Sequence, residues 1–115
     1  MAVKLVLVVR ADLGMGRGKI AAQAAHAAVA AALASIGRAE FAEWLSEGQP
    51  KVVLRVNSAE DLLAITVQAT AAELPSQLVE DAGRTQLAPG TPTCCAVGPA
   101  AAERIDTVTG ELSLL

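Results

Sequence analysis

The run Val3-Lys4-Leu5-Val6-Leu7-Val8-Val9 constrains the chain more than any other segment, because β-branched and Leu residues follow one another with no polar alternation. Successive side chains of a strand point to opposite faces, so such a run describes a strand covered on both sides. Lys51-Val52-Val53-Leu54-Arg55-Val56 repeats the pattern more weakly. Between the two, a helical stretch from about Gly18 to Ile36 is stopped by Gly37, and a shorter one from Glu40 to Ser46 is stopped by Gly48 and Pro50. Together they form a strand-helix-strand crossover. Ser58 with Asp61 three residues later has the form of a capping box and opens a helix that runs through Leu62, Leu63, Ile65 and Val67 until Pro75. Gln77-Leu78-Val79 reads as a third strand, Thr93 to Val97 as a fourth closed by Gly98-Pro99, and Ala100 to Ile105 as a short last helix. Strands alternating with helices of this length predict an α/β sandwich with a mostly parallel sheet, in a single domain over residues 1–115.

Ala dominates the 53% of hydrophobic residues, and Phe41 and Trp44 are the only members of the Phe, Tyr and Trp group, so the core is built from small aliphatic side chains and the helices pack closely. The longest apolar stretch, Ala24 to Ile36, consists mainly of Ala and is interrupted by His26 and Ser35, which argues against a membrane span. Val3 to Val9 is followed by Arg10 and Asp12 without a cleavage-site pattern, so it reads as a strand rather than a signal peptide, and a cytoplasmic protein is expected. Cys94 and Cys95 are neighbours in a strand and point to opposite faces, which makes them two small core hydrophobes rather than a bridge or a metal site. A net charge of −3 does not resemble that of a general nucleic-acid binder, which usually needs a basic face; contact with a polyanion would have to come from a local cluster.

Such a cluster lies where the first strand meets the long helix, in Arg10-Ala11-Asp12-Leu13-Gly14-Met15-Gly16-Arg17-Gly18-Lys19. The glycines at 14, 16 and 18 allow the loop to turn amide groups toward an anion, and the positive end of the helix dipole adds to the attraction. An ordinary flexible turn is the alternative. A Walker motif would need Gly at 13 and Ser or Thr at 20, where Leu13 and Ile20 stand, and the dinucleotide fingerprint fails at Lys19. Neither a nucleotide nor a metal nor any other cofactor is therefore expected. Along the helix Lys19, Gln23 and His26, at i, i+4 and i+7, form one polar stripe in an Ala background that suits the lining of a cleft. A solvated helix former is the lesser alternative for Gln23, and His26 reads as a packing residue before it reads as a proton shuttle. Lys19 beside a positive helix end makes most sense if negative charge shares its site.

Two further polar segments, Glu80-Asp81-Ala82-Gly83-Arg84-Thr85 after the third strand and Pro89-Gly90-Thr91 before the fourth, fall where a parallel sheet has its binding crevice. Arg10, Arg17, Lys19 and Arg84 would then gather at one edge with Asp12 and Asp81 among them. An Asp among cations stays ionised and can orient a water, although it becomes a weaker base. A turn-forming role for Asp81 is the simpler alternative.

The segment Val8-Val9-Arg10-x-Asp12-Leu13-x-Met15-Gly16-x-Gly18-Lys19-Ile20-Ala21-Ala22-Gln23-x-Ala25-His26-Ala27 closely resembles the opening of the second class of peptidyl-tRNA hydrolases, the archaeal and eukaryotic type. The likeness continues through Lys51-Val52-Val53-Leu54-x-Val56-Asn57-Ser58, Asp81-Ala82-Gly83-Arg84-Thr85-Gln86, Pro89-Gly90-Thr91 and Gly98-Pro99, while Gly14 and Arg17 stand where Lys is common. The resemblance implies a three-layer α/β/α sandwich with a four-stranded mixed sheet, often a homodimer, that hydrolyses the ester joining a peptide to the tRNA 3′ end, with peptidyl-tRNA as its partner. It carries functional positions onto Lys19, Gln23, Asp81 and Thr91. The expected catalytic set is thus Lys19, Gln23, Asp81, Thr91 and His26; Arg10, Asp12, Gly16, Arg17, Gly18 and Arg84 are expected to bind substrate. A non-catalytic tRNA- or anion-binding module is the alternative.

Overall fold

The computed structural model describes residues 2–84 and 87–115. In chain order the elements are β1 (Val3–Arg10), α1 (Arg17–Ser35), α2 (Ala39–Ser46), β2 (Lys51–Val56), α3 (Ala59–Ala71), β3 (Ser76–Glu80), β4 (Pro92–Ala101) and α4 (Ala102–Thr109). The strands form one sheet in the order β2-β1-β4-β3. Only β1 with β2 is a parallel pair; β4 runs antiparallel to both β1 and β3. The expectation of mostly parallel pairing is corrected accordingly. Three strands do share a direction, but the reversed β4 is inserted between β1 and β3, and hydrogen bonding across it is antiparallel. The carboxyl ends of β1 and β3 and the amino end of β4 therefore lie at the same edge of the sheet.

β1 is buried on both faces from Leu5 to Val9, as the unbroken apolar run there requires. Val3, Leu5, Leu7 and Val9 pack with Ala27 and Ala31 of α1, Trp44 of α2, and Cys94 and Ala96 of β4. Val6 and Val8 pack instead with Leu62, Ile65 and Ala69 of α3, Ile105 of α4, and Cys95 and Val97. One helix pair thus covers each face, giving three layers, and the adjacent cysteines separate into opposite cores. Full burial of each Val or Leu contributes about 1.5–3 kcal/mol. α1 meets the sheet through Ala27, Ala31 and Ser35, whose small side chains let the helix axis approach closely.

Local signals are met where the residues demand them. The Ser58 hydroxyl accepts the Asp61 N–H at 3.0 Å and caps α3, and Gly37 at φ 93° ends the long helix. β4 runs on to Ala101 rather than closing at Gly98-Pro99, because its register against β1 shifts between Lys4 and Val6. Pro99, which has no N–H to donate, is accommodated at that irregularity. The C-terminal residues lie along the open edge of β2, where Arg55 N–H donates to Ser113 O at 2.9 Å and Leu115 N–H to Val53 O at 3.1 Å. Among the described residues no helix is long and apolar enough to cross a membrane.

Candidate active site

β3 ends at Glu80, and the next residue, Asp81, turns its side chain inward until only 2% of it is exposed. A carboxylate so placed needs donors. Its main chain is fixed first: Asp81 N–H donates to Thr91 O and Gly90 N–H to Asp81 O, both at 2.8 Å, closing the loop that leads to β4. Oδ2 accepts the Gly83 N–H at 2.8 Å, so Asp81 is the turn-forming residue that the simpler reading foresaw. The turn requires glycine at 83, where φ is +77° and a Cβ would overlap the Pro89 ring.

The second oxygen does something a turn does not need. Oδ1 forms a salt bridge with Lys19 Nζ and faces Gln23 Nε2 at 3.5 Å. Lys19 and Gln23 stand one turn apart at the start of α1, so the polar spacing in the Ala helix resolves into two donors aimed at one carboxylate. Lys19 is a hydrogen-bond donor to the Asp81 carboxyl and, with the Gly83 amide, holds it below the usual carboxylate range. The negative charge that Lys19 called for is present in the protein itself. Gln23 is not a solvated helix former: its Oε1 accepts from the Thr93 hydroxyl at 3.1 Å, and Cys94 Sγ lies 3.3 Å from its main-chain oxygen. Burial pushes the Cys94 thiol up to about 11, which keeps it a neutral neighbour.

The other expected residues are placed differently. Thr91 reaches the cluster through its carbonyl, while its hydroxyl donates to Ala88 O at 2.7 Å. His26 is exposed, one turn beyond Gln23, and among the described residues nothing joins it to the cluster by hydrogen bond or ion pair. Arg10 is committed inside the protein, clasping both oxygens of Asp12 at 3.0 and 2.7 Å and donating to Pro92 O at 3.0 Å. The clasp lowers the Asp12 pKa, and the bond to Pro92 O ties the end of β1 to the start of β4. Arg17 and Arg84 are exposed cations flanking the ion pair in sequence, one two residues before Lys19 and one three residues after Asp81. Gly16 is the N-cap of α1 with no side-chain cap bond, and Gly18 is exposed on its first turn. Thr85 and Gln86 lie outside the described residues.

The family model described as peptidyl-tRNA hydrolase PTH2 matches residues 3–115. This chain belongs to that family. Among its curated relatives, the protein of Metallosphaera sedula named peptidyl-tRNA hydrolase is 50% identical, over 97% of this chain and 99% of its own. Those of Sulfurisphaera tokodaii and Saccharolobus solfataricus, under the same name, are 48% and 45% identical over at least 98% of both chains.

Two features of this PTH2-family chain escaped sequence reading. In the sequence Thr93 reads as an ordinary strand residue, although a hydroxyl opening an otherwise apolar run is a visible oddity. An apolar groove of about 540 Å³ between α1 and α2 begins at Ala24, beside Gln23, and is lined by Ala28, Phe41 and Trp44 among others. None of the five expected catalytic residues lines it.

The lowered pKa of Asp81 carries a sign. Unfolded, the carboxyl titrates near its ordinary value of about 4; folded, it titrates lower. The pair's contribution is therefore complete above that pH and is lost as pH falls through the folded value. In urea unfolding, the stability gap between wild type and Asp81→Asn should be constant from about pH 7 to 5 and shrink below about 4. Asp12 shifts in the same direction in both proteins and cancels from the difference. A gap that stays constant into strong acid would mean that Asp81 is not held as an ionised partner.

Proposed function

We propose that this chain hydrolyses the ester between a peptide and the 3′ end of tRNA, releasing the peptide and returning the tRNA for reuse in the cytoplasm. The observation that carries the reading is the convergence of Lys19 and Gln23, from one helix, on the Asp81 carboxylate, from another element, in a chain of this family. Water is the nucleophile. It attacks the ester carbonyl; the carbonyl oxygen takes the negative charge, and collapse expels the tRNA 3′ oxygen, which leaves with a proton.

Lys19 and Gln23, with amides at the start of α1, stabilise the developing oxyanion, the type of interaction that usually contributes most to acyl transfer. An ammonium has three donors, so holding Asp81 does not by itself prevent Lys19 from serving a second oxygen. Asp81 positions the water: Oδ1 is engaged by Lys19 and Gln23, while Oδ2 takes one N–H from Gly83 and has a further lone pair to offer. Its lowered pKa makes it a weak base, and its service is orientation more than proton abstraction. His26 is assigned a contact to bound substrate or water, outside the resting cluster. Thr91 and Arg84 orient the substrate. Arg17, Gly16 and Gly18 meet phosphate at the open helix start, and Arg10 with Asp12 shapes the loop that presents them. No metal or nucleotide takes part in this scheme.

A homodimer completes the proposal. Val29 and Leu33, at i and i+4 on α1, and Ile36 at its C-cap are 57%, 65% and 65% exposed and form an apolar patch of the kind a second copy would cover. Light scattering of Leu33→Glu should give a monomer where wild type gives a dimer; wild-type monomers would end this part of the reading.

Purified peptidyl-tRNA should lose its peptide at an undiminished rate in a chelator, under conditions that leave the tRNA folded. Activity abolished there and restored by a divalent ion would contradict the scheme, and tight binding without turnover would indicate a non-catalytic module. Arg17→Ala should raise KM more than it lowers kcat and reduce the salt slope of binding by about 1. A collapse of kcat at fixed KM would move Arg17 from binding into chemistry.

A further inference from the structure

β3 and β4 fall out of step just where they reach the site. Their register passes from Val79↔Cys94 to Glu80↔Pro92, so Thr93 is an extra residue on β4. In a regular strand Thr93 would share a face with Cys95, which belongs to the core under α3 and α4, and would point away from α1. The bulge re-aims it. Thr93 and Cys94, consecutive in sequence, both reach Gln23, the first at the side-chain oxygen and the second at the main-chain oxygen.

A glutamine amide has two ends of opposite character and nearly equal shape, and its last torsion is soft, so packing alone does not decide which end faces a site. We propose that Thr93 is a positioning residue for the hydrolysis: by donating its hydroxyl proton to Oε1 of Gln23, it holds the NH2 end of that amide toward Asp81 and the reacting ester. The inference rests on the reading of Gln23 as part of the hydrolytic site. The distances support the direction of the bond. Thr93 Oγ1 lies 3.1 Å from Gln23 Oε1, while Gln23 Nε2 faces Asp81 Oδ1 at 3.5 Å. A hydroxyl has one proton; its other oxygen neighbour, Val79 O, is farther at 3.3 Å. Thr93 is fully buried, so solvent does not compete for that proton. Turned the other way, the amide would set its oxygen against an ionised carboxylate and withdraw its donors from the crevice.

The test is single-turnover hydrolysis of peptidyl-tRNA by wild type, Thr93→Val, Thr93→Ser, Gln23→Ala and the Gln23→Ala/Thr93→Val double variant, with thermal melts alongside. Thr93→Val keeps the shape and removes the donor. It should lower kcat about tenfold, the scale of a lost buried hydrogen bond, and leave KM within about twofold. Thr93→Ser should restore most of the rate. In the Gln23→Ala background Thr93→Val should add nothing, because the group it positions is gone. A slow Gln23→Ala beside a wild-type-like Thr93→Val overturns the positioning role alone. Equal losses from Thr93→Val in both backgrounds overturn it too, by showing a general structural effect. Full activity in Gln23→Ala overturns the reading of Gln23 and this inference with it. If Thr93→Val melts below the assay temperature, Thr93→Ala read against Thr93→Ser makes the same comparison.

Discussion

A carboxylate taken out of water is tolerated only where donors converge on it, and at Asp81 that requirement organises the end of the sheet where β1, β3 and β4 meet. Its partners come from α1 and from its own loop, and its main chain is pinned by the residues that lead into β4. Removing one partner of such a pair costs more than the pair contributes, since the other charge is left buried. The contrast with Lys4 and Asp106 is instructive: that pair is also close, at 2.7 Å, but Asp106 is 53% exposed, and such a contact contributes about 0–1 kcal/mol. The Asp81 pair sits where its geometry is held from several sides, which is what chemistry needs of a charge.

The sheet brings those sides together. β1 and β3 are separated by β4, and the reversal of β4 places its amino end between their carboxyl ends. Arg10 exploits this by reaching from the end of β1 to Pro92 O, tying the two strand ends together. The Ala-rich character of α1 has a related consequence. Small residues on its buried stripe let the helix lie close to β4, near enough for the short reach of Thr93 and Cys94 to meet Gln23.

Local features of this arrangement are legible in the sequence and the non-local ones are not. The double burial of β1 follows from its unbroken Val and Leu run over residues 5–9, the Ser58 cap from its spacing to Asp61, and the shared face of Lys19 and Gln23 from their separation by one helical turn. The insertion of β4 between β1 and β3 is a pairing of distant segments that no local period encodes. The same holds for the bulge at Thr93: strict alternation assigns that side chain to the wrong face, and only the register of β3 against β4 corrects it. Arg10 belonged to the expected cationic cluster by charge, yet its neighbour Asp12 and the Pro92 carbonyl claim it first. His26 continues the helical stripe but is exposed, and among the described residues no hydrogen bond or ion pair joins it to Asp81.

In the proposed hydrolysis Lys19 and Asp81 act as one unit on one chemical step. Single-turnover peptide release by wild type, Lys19→Ala, Asp81→Asn and the double variant tests it most directly, with melts to establish that all four proteins are folded. Each single change should slow hydrolysis about a hundredfold or more, and the double variant should be little worse than the poorer single one. Near-wild-type turnover in either single variant, or losses that multiply in the double, would contradict the account.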